Sequence, residues 1–215
     1  MESGNYLLYF VYVFSSVFVI VNPIEASMVY VSLTAGMNPL EKSRIYRRAT
    51  LVAFIIAILF ALAGDLVLRL FGITTDSLSV AGGILLFLVA MDMLRGVHQQ
   101  KKVTDLELKD ANHREDISVF PLATPLLTGP GAITTVVVLM GSAGSIAEKA
   151  IVILGVSLTY TATLFVLRFS DYIDRVLGVT GIMVLTRVMG LILGAVAVNF
   201  VAVGGWHLYR SIAGG

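Results

Sequence analysis

The sequence predicts an all-α integral membrane protein of six transmembrane spans, arranged as two inverted three-helix repeats in which spans one and four are discontinuous. Three observations lead there. The 215 residues are 57% hydrophobic and 13% charged, with a mean hydropathy of +0.90, whereas soluble domains carry about 25% charged residues. Six apolar segments approach span length. Residues about half a chain apart also recur at a fixed offset.

A hydrocarbon core of about 30 Å needs roughly 20 apolar residues per helix. The first segment runs from Tyr6 to about Ala35 and is interrupted at Asn22-Pro23; it is too long for one straight span and reads as two half-helices. The second spans about Ile45 to Arg69 and the third about Leu78 to Leu94. A polar stretch from His98 to Asp116 holds nine charged residues and reads as the solvated loop between the repeats, 1–97 and 117–215. The fourth segment, Ile117 to Met140, breaks at Thr128-Gly129-Pro130-Gly131-Ala132, because proline lacks an amide NH and glycine is a poor helix former. The fifth spans about Ala150 to Arg168 and the sixth about Gly181 to Tyr209. Glu2 precedes the first apolar run, with no basic residue and no small-residue cleavage site, so no removable signal peptide is expected.

Pro130 follows Pro23 by 107 residues, and the same offset pairs Gly83 with Gly190 and Asp92 with Asn199. Phe71-Gly72-Ile73-Thr74 aligns with Leu177-Gly178-Val179-Thr180 one residue closer. Three spans per unit is odd, so the second unit crosses the membrane in the opposite sense, as in many secondary transporters. Basic residues set the orientation. Lys42, Arg44, Arg47, Arg48, Arg95, Lys101, Lys102, Lys109, Arg114, Arg168 and Arg175 fall on one side, against Arg69, Lys149 and Arg210 on the other. Both termini are therefore expected outside a cell (inner) membrane.

Other classes find little support. The chain has no cysteine and a formal net charge of +1, which excludes thiolate chemistry and gives no reason to expect a nucleic-acid partner. No Walker loop, HExxH or nucleophile with a plausible base is present, and His98, His113 and His207 lack metal-ligand spacing. The chain is not expected to be an enzyme, nor to need a metal or cofactor.

What the breaks offer is a binding site. Non-helical backbone at membrane depth is tolerated where it is buried in protein or lines a cavity. With the repeats inverted, the helices restarting near Ile24 and Ala132 present their N-termini near the midplane from opposite sides. Such ends attract a carboxylate, and carbonyls left near Val21 and Leu127 suit an ammonium group or cation. A zwitterion satisfies both. The candidate substrate-binding residues are Asn22, Pro23, Ile24, Glu25 and Ala26 with Thr128, Gly129, Pro130, Gly131 and Ala132; the small side chains among them equally suit close helix packing.

Glu25 is either a helix cap or a group that binds the substrate ammonium or takes up a coupled proton. Asp92 is a second proton-coupling candidate, and it and Asn199 read as matched polar positions facing the bundle, though Arg95 also offers Asp92 an interfacial partner. Arg187 lies within a span and reads as structural or gating, bracing backbone carbonyls or snorkelling. Asn199 shares that structural or gating reading. Asp65 and Arg69, four apart, read as a surface pair. Trp206 and Tyr209 read as an interfacial belt. Gly190 and Gly194 form a GxxxG face for helix packing or a homo-oligomer.

The pieces Val21-Asn22-Pro23-Ile24, Phe71-Gly72-Ile73, Ala81-Gly82-Gly83, Pro121-Leu122-Ala123-Thr124-Pro125 with Thr128-Gly129-Pro130-Gly131, and Arg187-Val188-Met189-Gly190 resemble the MarC family of prokaryotic inner-membrane proteins, in the same order along the chain. That family includes SnatA, a transporter of small neutral amino acids. The resemblance implies six spans, broken spans one and four, and carriage of glycine, alanine or serine with proton coupling. It implies motif roles for Asn22, Pro23, Gly129, Pro130 and Gly131; Glu25 departs from the glycine or small polar residue often found at its position. The expected function is secondary transport of small neutral amino acids by alternating access, one repeat moving against the other. The competing readings are an ion or small-solute channel and a multidrug or metabolite exporter.

Overall fold

The computed structural model describes residues 5–96 and 117–213. The polar loop, with His98 and His113, lies outside the described residues. Those described are helical without strands, in eight segments. Five helices are long and apolar enough to cross a membrane, and a bent pair makes six.

Local chemistry sets the ends of each helix. α1 (Tyr6–Val21) stops at Asn22, whose φ of 46° lies in the left-handed region that asparagine tolerates better than most residues. Pro23 opens α2 (Pro23–Leu33) at the position where a missing NH removes no helix bond. The two pieces read as one 28-residue span, Tyr6–Leu33, so this break is one residue deep and shallower than expected. α3 (Pro39–Leu70) starts on a capping box in which Asn38 accepts from the Glu41 NH at 2.9 Å and its own NH donates to Glu41 Oε2 at 3.2 Å. α4 (Thr75–Arg95) is capped by Thr74 and ends at Gly96, φ 70°.

The fourth span departs from the expected pair of half-helices. Ser118–Leu127 is an irregular helical coil of π type with Phe120 (φ −132°, ψ 127°) and Thr124 (φ −130°, ψ 127°) extended. Each precedes a proline, where the α conformation is sterically disfavoured, and both X–Pro bonds are cis. α5 (Pro130–Ser142) follows at a bend of 56°. α6 (Ile146–Arg168) is regular. α7 (Ser170–Ala213) begins eleven residues before the expected sixth span and turns at Gly178, φ 57°, in the left-handed region that favours glycine.

The two stretches 6–95 and 118–213 do not pack as separate bundles. α4 lies along α7 in the most extensive interface, α1 packs on α6, and α3 packs on α5, α6 and the irregular coil. Nearly every helix thus finds its partners in the other half of the chain.

Glycines let α4 and α7 approach. A Cβ on Gly83 would lie 2.8 Å from the Ala197 carbonyl oxygen and 3.0 Å from the Val201 nitrogen; one on Gly190 would lie 3.2 Å from the Ala90 oxygen. The GxxxG face of Gly190 and Gly194 packs against Ala90 and Met93 of the same chain, the helix-packing reading of that motif. Gly83→Ala forces backbone to shift and is expected to lower stability by about 1–3 kcal/mol. Thermal unfolding in detergent checks this against Gly205→Ala, where the added methyl meets open space; equal melting would show that α4 and α7 can separate freely.

Candidate functional site: two helix starts inside the bundle

The fold brings the breaks together. α1 packs on α5 and α2 on the irregular coil, and a Cβ on Gly131 would meet Ile20 Cδ1 at 3.0 Å and Leu86 Cδ2 at 3.3 Å. Gly131, just inside the second helix start, therefore sits against the last turn before the first. Asn22, Pro23, Glu25, Ala26, Thr128 and Ala132 are buried, Ile24, Gly129 and Gly131 are half-buried, and Pro130 is exposed.

The two helix starts differ in chemistry. Asn22 caps α2, accepting from the Glu25 NH at 3.4 Å, while its Nδ2 donates to Glu25 Oε2 at 2.6 Å. Glu25, 5% exposed, is thus held by its own N-cap residue, and the first helix start is already occupied. α5 has Gly129 at its N-cap and no side-chain cap, so the free amides that a carboxylate would need are at the second start. The carbonyl ends also differ from expectation. Leu127 O accepts from the Tyr160 hydroxyl at 3.1 Å.

Tyr160 is a residue held against the second break that the motif reading passed over. Its hydroxyl also lies 2.9 Å from Thr128 Oγ1, which donates to Ala53 O at 3.1 Å. α3, α6 and the second break are tied at one point. The sequence signal was a tyrosine in mid-span between Thr159 and Thr161, since a buried tyrosine hydroxyl requires a partner. Tyr160→Phe leaves Leu127 O without that donor and is expected to cost about 1–3 kcal/mol. The check is thermal unfolding beside Tyr209→Phe, an exposed position; a neutral Tyr160→Phe would mean that water replaces the hydroxyl.

Glu25 also lines a cavity of about 10 Å³ with Met28, Met93, Ile182, Met183 and Thr186, room for about one water. No residue of the second break lines it. Asp92 is half-buried near the end of α4, whereas Asn199 is exposed on α7 and donates to the Tyr12 hydroxyl at 3.3 Å. Asn199 thus faces outward rather than into the bundle beside Asp92, because its partner is on α1. Arg187 is exposed, with one guanidinium nitrogen beside Gly96, the C-cap of α4, where a cation suits the helix end. Asp65 and Arg69 pair at 2.9 Å as expected, and His207 lies 3.1 Å from Asp76.

A family model described as MarC family integral membrane protein matches residues 7–208. The chain is similar to a UPF0056 membrane protein of Methanocaldococcus jannaschii, 42% identical over 92% of this chain and 96% of the relative. It is similar also to the UPF0056 membrane protein YvbG of Bacillus subtilis, 37% identical over 91% and 93%. The UPF0056 membrane protein YhcE of Escherichia coli is 35% identical over 89% of each chain. No solved structure matches.

Proposed function

This chain belongs to the MarC family of integral membrane proteins, and on that premise we propose that it is a proton-coupled secondary transporter of small neutral amino acids, glycine, alanine or serine. The observation that carries the proposal is the contact of Gly131 with Ile20 and Leu86, which sets an uncapped helix start against the other broken span. The substrate carboxylate is placed on the Gly131 and Ala132 amides, with the ammonium toward Glu25 once Ile20 and Leu86 draw apart. Pro23, Pro130 and Gly129 fix where the helices restart.

Alternating access follows a local route in this reading. The interleaved helices act as scaffold, while the irregular coil and α2 move across the site. Support comes from the packing itself: the Gly83 contact with Ala197 and the Gly190 contact with Ala90 exchange under the 107-residue offset, as two inverted units would require. Glu25 is assigned the coupled proton, with Asp92 as the second candidate, and Arg187 and Asn199 keep structural or gating roles. Both termini are placed outside a cell (inner) membrane by the basic-residue count.

Uptake by proteoliposomes tests this across a panel of amino acids, with and without a proton gradient. Gradient-dependent accumulation of glycine, alanine or serine over larger side chains is expected. Equal uptake of large and small amino acids, or none, would contradict it.

A further inference from the structure

We infer that the groove between α3 and α6 holds one acyl chain of an anionic phospholipid whose phosphate lies on Arg47. The groove shares Tyr160 with the second break, and its other lining residues lie outside the proposed transport site. It is an open groove of about 380 Å³ between Arg47, Thr50, Leu51 and Phe54 of α3 and Ser157, Tyr160, Thr161 and Leu164 of α6, room for part of a ligand of about 300 Å³ or more.

The order of chemistry along α3 matches the order of groups in a phospholipid. Arg47 supplies the charge. Thr50, on the same helix face one turn deeper, is 5% exposed, and its hydroxyl has no hydrogen-bond partner. Leu51 and Phe54 continue as apolar wall. Phosphate, glycerol ester and acyl chain need these three surroundings in that order, and an ester carbonyl accepts from the Thr50 hydroxyl once a turn about χ1 brings that covered oxygen to the groove.

The other hydroxyls along the groove make no such demand. Ser157 Oγ donates to Ile153 O at 2.7 Å, Thr161 Oγ1 to Ser157 O at 2.8 Å, and Tyr160 OH to Leu127 O at 3.1 Å. An unmet donor therefore remains at the depth of an ester group. Charge selects the headgroup. Lys42, Arg44, Arg47 and Arg48 crowd the first turns of α3, and Lys42 bridges Asp171 at 3.2 Å, which brings the end of α6, with Arg168, to the same place.

The test is the melting temperature of the purified full chain in neutral detergent, titrated with phosphatidylglycerol, phosphatidylcholine or glycerol 3-phosphate. Phosphatidylglycerol is expected to raise it saturably and the other two to raise it little. Arg47→Gln should weaken the apparent affinity by about fivefold, the effect of one basic residue at a lipid surface. Thr50→Val should weaken it also while leaving the lipid-free protein as stable as before, because that hydroxyl has no partner to lose. Arg69→Gln, at the far end of α3, controls for general loss of charge.

Equal stabilisation by phosphatidylcholine, or unchanged phosphatidylglycerol affinity in Arg47→Gln, overturns the assignment. A full shift from glycerol 3-phosphate would make it a phosphate site without a lipid. Loss of glycine binding in Arg47→Gln with lipid affinity intact would give the groove to the substrate instead.

Discussion

Gly131→Val is expected to abolish glycine transport, by about tenfold or more, in a protein that still folds. One methylene more or less in a pocket changes discrimination by about 10–200-fold, and valine adds three carbons where the proposed substrate carboxylate sits. The fold should survive because the atoms nearest a new Cβ are the side-chain ends Ile20 Cδ1 and Leu86 Cδ2, which can rotate away. The same change at Gly129 is less informative. A Cβ there would lie 2.7 Å from the Pro125 carbonyl oxygen, so lost transport could reflect damaged backbone. Uptake and detergent melting measured on Gly131→Val separate the two effects, and full activity in that variant would exclude the second helix start as the site.

Glu25→Gln is expected to end proton-driven accumulation while leaving substrate exchange in place. Glutamine keeps an oxygen for the Asn22 Nδ2 contact at 2.6 Å and a side chain of the same length, so the cap should lose no more than about 1 kcal/mol. What it loses is the negative charge facing the substrate ammonium, which raises the glycine concentration needed, and the ability to carry a proton between the two sides. Accumulation in the variant should therefore fall by about tenfold or more at an imposed gradient where wild type concentrates glycine, since uncoupled binding sites only equilibrate substrate. Counterflow should persist. If accumulation and its pH profile match wild type, Glu25 is a cap and Asp92 becomes the group to replace.

Much of the architecture was legible because single residues mark it. Asn22-Pro23 and Thr128 to Gly131 locate both breaks, and hydropathy alone locates the spans. Two local features were harder to read. Pro121 and Pro125 stand four residues apart, which forbids regular helix before the second break, yet hydropathy averages over them and suggests a half-helix. The helix before Gly178 was missed because Asp171, Asp174 and Arg175 make it polar.

The site was legible as two loci, with their chemistry hidden. Two similar-looking starts turn out to differ, since one is capped by Asn22 and the other by no side chain. Spacing along a chain carries no record of which side chain folds back on its own helix, and none of which tyrosine on another helix closes a carbonyl. The interleaving of the halves was equally hidden, because a repeat in sequence says nothing of whether its copies pack within themselves or across.

Counterflow of labelled glycine into proteoliposomes loaded with unlabelled glycine tests the central claim most directly. A transporter that holds its substrate between two broken spans should show saturable, transient overshoot that unlabelled alanine competes away and Gly131→Val removes. Linear, non-saturating entry without overshoot would instead identify a channel and contradict the account.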